Sequence, residues 1–131
     1  MSRSRTILAL VVLALLATAF PAAAERWVLL GEKHVTDRVD RDTLVVTAAK
    51  GDFEAIKLRV RRSAVKFVDV KAVYGSGATD DLAIRDVIPA GGESRVIDLR
   101  GGDRVIRQID FVYEAKSIGR RGALVQVWGR R

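Results

Sequence analysis

The chain runs to 131 residues, 49% of them hydrophobic and 30% charged, with a formal net charge of +7 and no cysteine. That length suits one domain whose core can stand without staples. The missing cysteine excludes a disulfide, a thiol nucleophile, a thiolate metal site and a lipid anchor through a thioether.

Residues 1–24 read as a secretory leader. Arg3 and Arg5 make a positive start, Ile7 to Phe20 is an uncharged apolar run, and Ala22-Ala23-Ala24 is a small-residue cleavage signal before Glu25. The run is short for a membrane-spanning helix, which needs about 20 residues. Arg3 and Arg5 are not adjacent, so no twin-arginine signal is present. The expectation is a cleaved signal peptide at 1–24, a single domain at 25–131, no stable membrane anchor after cleavage, and an exported product, periplasmic or extracellular. Loss of Arg3 and Arg5 lowers the formal charge from +7 to +5. Met1 is the only methionine, so the cleaved form carries no oxidisable sulfur, as an oxidising compartment favours.

Trp27 to Leu30 is a continuous apolar run ending at Gly31 and predicts a strand. The charged segment from Glu32 to Asp42 predicts a loop. Asp37, Asp40 and Asp42 lack the spacing, glycine and closing glutamate of an EF-hand, and His34, the only histidine, cannot build a histidine-rich zinc site. Thr43 to Ala48 is β-branched and predicts a strand, followed by a turn at Lys50-Gly51-Asp52. Phe53 to Val60 alternates: Ile56, Leu58 and Val60 point one way, Lys57, Arg59 and Arg61 the other. Val65 to Tyr74 predicts a strand with Lys66, Val68, Val70, Ala72 and Tyr74 on one face and Phe67, Asp69, Lys71 and Val73 on the other. Gly75-Ser76-Gly77 ends it, with no helix behind to hold an anion. Leu82 to Ile88 predicts another strand with Leu82, Ile84 and Ile88 on one side.

Ser94 to Tyr113 predicts two strands around a Gly101-Gly102 turn. With an odd loop, Leu99 faces Val105 and Ile97 faces Arg107, on the same side as Ile109, Phe111 and Tyr113. Arg107 would then be the one charge on the apolar face, its stem on the core and its head in water. A turn at Ser117–Gly122 precedes a last strand, Ala123 to Trp128, which would lie near the first.

No stretch after the leader has a helical period. The expectation is an all-β fold, an antiparallel β-sandwich of about eight short strands, preceded by the signal-peptide helix. The chain has no Gly-x-Ser-x-Gly elbow, His-Glu-x-x-His or Walker loop, and a lone histidine weighs against a Ser-His-Asp triad. No cofactor, metal or catalytic residue is assigned. Basic residues interleave with acids and lack an aromatic platform, so nucleic acid is not the expected partner. The candidate anion- or partner-binding face is Lys57, Arg59, Arg61 and Arg62. A second charge cluster is Asp98, Asp103, Arg104 and Arg107, where Asp98 is expected to pair with an arginine and Asp103 to shape the turn.

The runs IDLRGGDRVIRQIDF (97–111), WVLLG (27–31), AIKLRV (55–60), VYGSGA (73–78), IPAGGESR (88–95) and VWG (127–129) are similar to a family of small exported bacterial proteins of unknown function. The resemblance implies a β-sandwich in the cell envelope or outside, and no known activity. Two functions follow as expectations. One is a non-catalytic envelope module binding a protein or a polyanion. The other is a small hydrolase using carboxylates such as Asp98 and Asp103.

Overall fold

A computed structural model describes residues 26–131, so the leader expected at 1–24 lies outside the described residues. Ten strands form two antiparallel sheets around one apolar core, the sandwich that alternation without a helical period demands. The strands are β1 (Trp27–Val35), β2 (Arg41–Val45), β3 (Asp52–Phe53), β4 (Ala55–Arg61), β5 (Val65–Tyr74), β6 (Thr79–Asp81), β7 (Val87–Ile88), β8 (Ile97–Asp98), β9 (Arg104–Tyr113) and β10 (Ala123–Arg130). Single 3-10 turns lie at Ala48–Lys50 and Ala115–Ser117, and no α-helix occurs among the described residues.

The four-stranded sheet has the order β1-β10-β4-β8. The first and last strands are therefore neighbours, with Leu29 opposite Trp128 and Trp27 opposite Arg130. The six-stranded sheet is built on the long pair β5–β9. Strands β2 and β3 share the outer edge of β9, and β6 and β7 share the outer edge of β5. The chain crosses from one sheet to the other at Glu54, whose N–H already donates to Arg130 in the four-stranded sheet. Ile56, Leu58 and Val60 face inward against Val125, Val127, Ile109 and Phe111 in one cluster. The Phe67 and Phe111 rings meet at 6.1 Å, tilted by 55°, a favourable aromatic geometry.

Three expectations are corrected. Ile97 and Leu99 do not form a hairpin with residues 105–113, because β8 pairs with β4 in one sheet while β9 lies in the other. Cross-strand parity thus does not link them. Arg107 is exposed rather than on the core face, and Ile106 takes the inward place. The reason is a bulge: Val73 faces Gln108 but Tyr74 faces Ile106, which leaves Arg107 as the extra residue of β9. A second bulge in the same pair makes Val68 the extra residue of β5, so Phe67 is buried and Val68 is 44% exposed, the reverse of strict alternation.

Two element boundaries also move. His34 lies in β1, not in a loop. Residues 82–86 are irregular between β6 and β7, although Leu82, Ile84 and Ile88 are all buried as expected. The Asp81 carboxylate ends β6 by accepting the N–H of Ala83 at 2.8 Å, and Ala83 turns to φ 53°. Arg95 then donates to the carbonyls of Leu82 and Ala83, each at 3.1 Å, which satisfies backbone that no strand partners.

Candidate anion-binding site

Strand β4 is interior to its sheet, so its outward residues Lys57, Arg59 and Arg61 form a row across from Trp128, Gln126 and Leu124 of β10. Three positions at the same pitch span about 13 Å, two pairs at roughly 3.3 Å per residue. The structure divides the basic face expected here into two environments joined by this row.

At one end, Lys57 and Arg59 lie in a slot of about 160 Å³ lined by Trp27, Lys57, Arg59, Glu93 and Trp128. The Lys57 ammonium sits 4.3 Å from the centroid of Trp27 and 3.4 Å from Glu93 Oε2. The Arg130 guanidinium is 5.7 Å from the same ring. Trp128 Nε1 donates to Gln126 Oε1 at 3.2 Å, and Gln126 Nε2 donates to Glu32 Oε1 at 2.6 Å. The walls are thus held by hydrogen bonds and cation–π contact. Arg59 Nε is buried without an acceptor, although its strand neighbour in an isolated bridge is Glu93.

At the other end the row runs into a cluster of arginines. The loop after β1, the turn after β4 and the loop before β10 all emerge at this pole, because Val35 pairs with Ala123 and Leu124 with Arg61. They carry Arg38, Arg62, Arg120 and Arg121, and Arg61 ends β4 beside them, all five exposed. Arg62 and Arg121 line one concavity of about 320 Å³. Thr36, Asp37, Arg38 and Arg120 line another of about 590 Å³. None of these five arginines forms an ion pair among the described residues. Several cations elsewhere on the surface are matched: Lys66 with Glu114 at 3.1 Å, Arg85 with Asp81 at 2.7 Å, Arg130 with Glu54 at 2.9 Å; exposed Arg41, Arg107 and Lys116 form no ion pair among the described residues. The pole therefore gathers five arginines without an ion pair at one end of the sandwich. Arg62 holds a left-handed backbone, φ 76°, at a position where glycine is the unstrained residue.

The second cluster does not converge. Asp98 points out beside Arg130, 3.4 Å from its Nη2. Arg107 is exposed at the bulge. The Arg104 guanidinium lies 3.9 Å from the Tyr74 ring centroid and donates to the Arg100 carbonyl at 2.9 Å. Asp103 lines a concavity of about 390 Å³ with Asp52, Tyr74, Ser76 and Arg104. Asp52 is the carboxylate that sequence reasoning did not place there. It comes from β3, which pairs with Arg104 and Val105 more than 50 residues further along the chain, and no spacing signals that contact. Arg120 and Arg121 fall within the turn expected at 117–122, where no site was expected.

Two buried tyrosines complete the polar inventory. The Tyr74 hydroxyl donates to Asp80 Oδ2 at 2.6 Å, and the Tyr113 hydroxyl to Asp42 Oδ2 at 2.6 Å. Burial, with the adjacent carboxylate, pushes both phenols well above their ordinary range. Asp80 also accepts the Arg100 N–H at 3.2 Å. No group of three or more metal-ligating side chains occurs among the described residues, and no helix there is long and apolar enough to cross a membrane.

The fold and the site define a small all-β module with a basic, partly aromatic outer face. The chain belongs to the family described as a domain of unknown function (DUF2541), whose model matches residues 8–129. No curated protein matches it. Among solved structures it is similar to that of Pseudomonas aeruginosa AlgX, with a TM-score of 0.52 and 16% sequence identity over 81% of this chain. The chain spans 26% of that structure's length, and at this identity the likeness concerns the fold alone.

Proposed function

We propose that this protein is a non-catalytic, exported binding module of the cell envelope, periplasmic or extracellular, that holds an anionic partner at its arginine pole. One observation carries the reading: Arg38, Arg61, Arg62, Arg120 and Arg121 gather at one end of the sandwich and none forms an ion pair among the described residues, with Asp37 the one carboxylate in the concavity of Arg38 and Arg120. Several unpaired charges on one surface raise the local concentration of a polyanion and hold it through additive, salt-screened contacts. The left-handed backbone at Arg62 supports the reading, since a charge is kept where glycine would relieve strain.

The test uses inorganic polyphosphate, a polyanion without sugar or base. The full chain is expected to bind it with an affinity that falls as salt rises. Changing Arg61, Arg62, Arg120 and Arg121 to Ser should weaken that binding by about tenfold or more. Changing the paired Arg85 and Lys71 to Ser should leave it unaltered. Equal binding by all three proteins would refute the pole as the site.

The second reading, hydrolysis by paired carboxylates, shifts from Asp98 and Asp103 to Asp52 and Asp103, which share a concavity. On that reading Asp103→Asn abolishes hydrolysis of an envelope glycan and leaves polyphosphate binding unchanged.

A further inference from the structure

The slot at the other end of the β4 row differs from the pole in chemistry. Its walls are two indoles, a lysine and an arginine, with Glu93 at the rim. A simple polyanion has no use for the indoles, and a neutral apolar ligand has no use for Arg59. Trp128 takes no cation or ring against its faces among the described residues, whereas Trp27 is covered by Lys57. The Trp128 nitrogen is tied to Gln126, so the indole is fixed in orientation. Arg59 brings a planar guanidinium whose buried Nε lacks an acceptor, an arrangement suited to a carboxylate or another planar anion.

A sugar ring with an acidic group meets all of these features. Its C–H face stacks on an indole, as amphipathic aromatic surfaces favour. Its carboxylate reaches Arg59 and Lys57, and its hydroxyls reach Glu93. The volume of about 160 Å³ suits one ring. From this slot the row Lys57, Arg59, Arg61 leads directly to the pole.

We propose that the anionic partner is a linear acidic polysaccharide that lies along β4, with one sugar ring seated against the open face of Trp128 and its following acidic groups on Arg61, Arg62 and Arg121. This rests on the polyanion reading of the pole, and adds that the ligand is a carbohydrate. Glu93 sets the specificity: it occupies Lys57 in the free protein, and the incoming carboxylate competes for that lysine.

The experiment measures binding of a galacturonate oligomer to the full chain by calorimetry and tryptophan fluorescence. A cello-oligomer of equal length serves as the neutral sugar and polyphosphate as the sugar-free anion. The galacturonate oligomer is expected to bind and to change the indole emission. The cello-oligomer should not bind, and polyphosphate should bind without the emission change. Trp128→Ala should weaken galacturonate binding about tenfold and spare polyphosphate binding. Arg59→Gln, which keeps both indoles and the packing, should do the same and guards against a fold defect in the tryptophan variant. If both variants bind galacturonate like the parent, or if the neutral oligomer binds equally well, the saccharide slot is wrong. Retained polyphosphate binding would then leave the pole standing, and loss of binding to every anion would sink both.

Discussion

Tyr74 and Tyr113 show what a single polar atom demands inside a sandwich. Each phenol is buried and donates to a carboxylate from another strand, Asp80 or Asp42, so neither hydroxyl is left unsatisfied. The folded state keeps both protonated above the ordinary tyrosine value of about 10. A raised folded value stabilises below the unfolded value, and that stability drains away as pH rises from about 10 through the folded values. Denaturant midpoints are therefore expected to hold up to about pH 10 and to fall above it. The fall should be shallower in Tyr113→Phe, measured against the parent across the same range. Arg62 gives the opposite kind of residue prediction. Relieving its left-handed backbone with Arg62→Gly should stabilise the fold by about 0.5–1 kcal/mol, since the strain removed exceeds the entropy that glycine adds. Chemical denaturation reads that gain, and polyphosphate affinity should fall in the same variant.

At the scale of elements, two glycines of the family-like motifs act through packing. Gly129 lies in β10 on the core side, and a Cβ there would fall 2.6 Å from Cδ1 of Phe53, which is fully buried in β3. Phe53 is the residue that starts the crossing between sheets, so it has little room to retreat. Gly129→Ala should cost about 1–3 kcal/mol, seen as a lower denaturation midpoint with an unchanged m-value. Gly31 sits at the β1 irregularity, where a Cβ would meet Leu44 at 3.1 Å. The β5–β9 pair carries the two bulges. They explain why period-two counting held over Ile109, Phe111 and Tyr113 yet misplaced Arg107, Phe67 and Val68. A bulge inverts parity on one side of itself, and β-branched, aromatic or charged residues at the extra position carry no composition signal for it. Counting worked from Ile56 to Arg61 in β4, which has no bulge, and failed only at Ala55, buried beside Ile56 at the strand's start.

For the whole molecule, the core must supply the stability, as no disulfide is available. Phe111→Ala, at the meeting point of the two sheets, should cost about 3–5 kcal/mol and lower the thermal midpoint accordingly. The charge distribution is a property of the same scale. The excess positive charge is spread along the chain, yet five arginines from positions 38, 61, 62, 120 and 121 meet at one end because antiparallel strands return their connections to the same pole. The salt dependence of polyanion binding is the whole-molecule readout of that convergence.

Alternation, β-branching and glycine turns were enough to determine the all-β class, the inward set of β4 and the burial of Leu82, Ile84 and Ile88. These depend on neighbours one or two residues away along the chain. Which sheet received Ile97 and Leu99, where Asp52 and Arg120 came to lie, and the enclosure of Arg59 by Trp27 and Trp128 were decided only in three dimensions. Those contacts join residues far apart in sequence through strand order and bulge position, and side-chain pattern is the same for several strand orders.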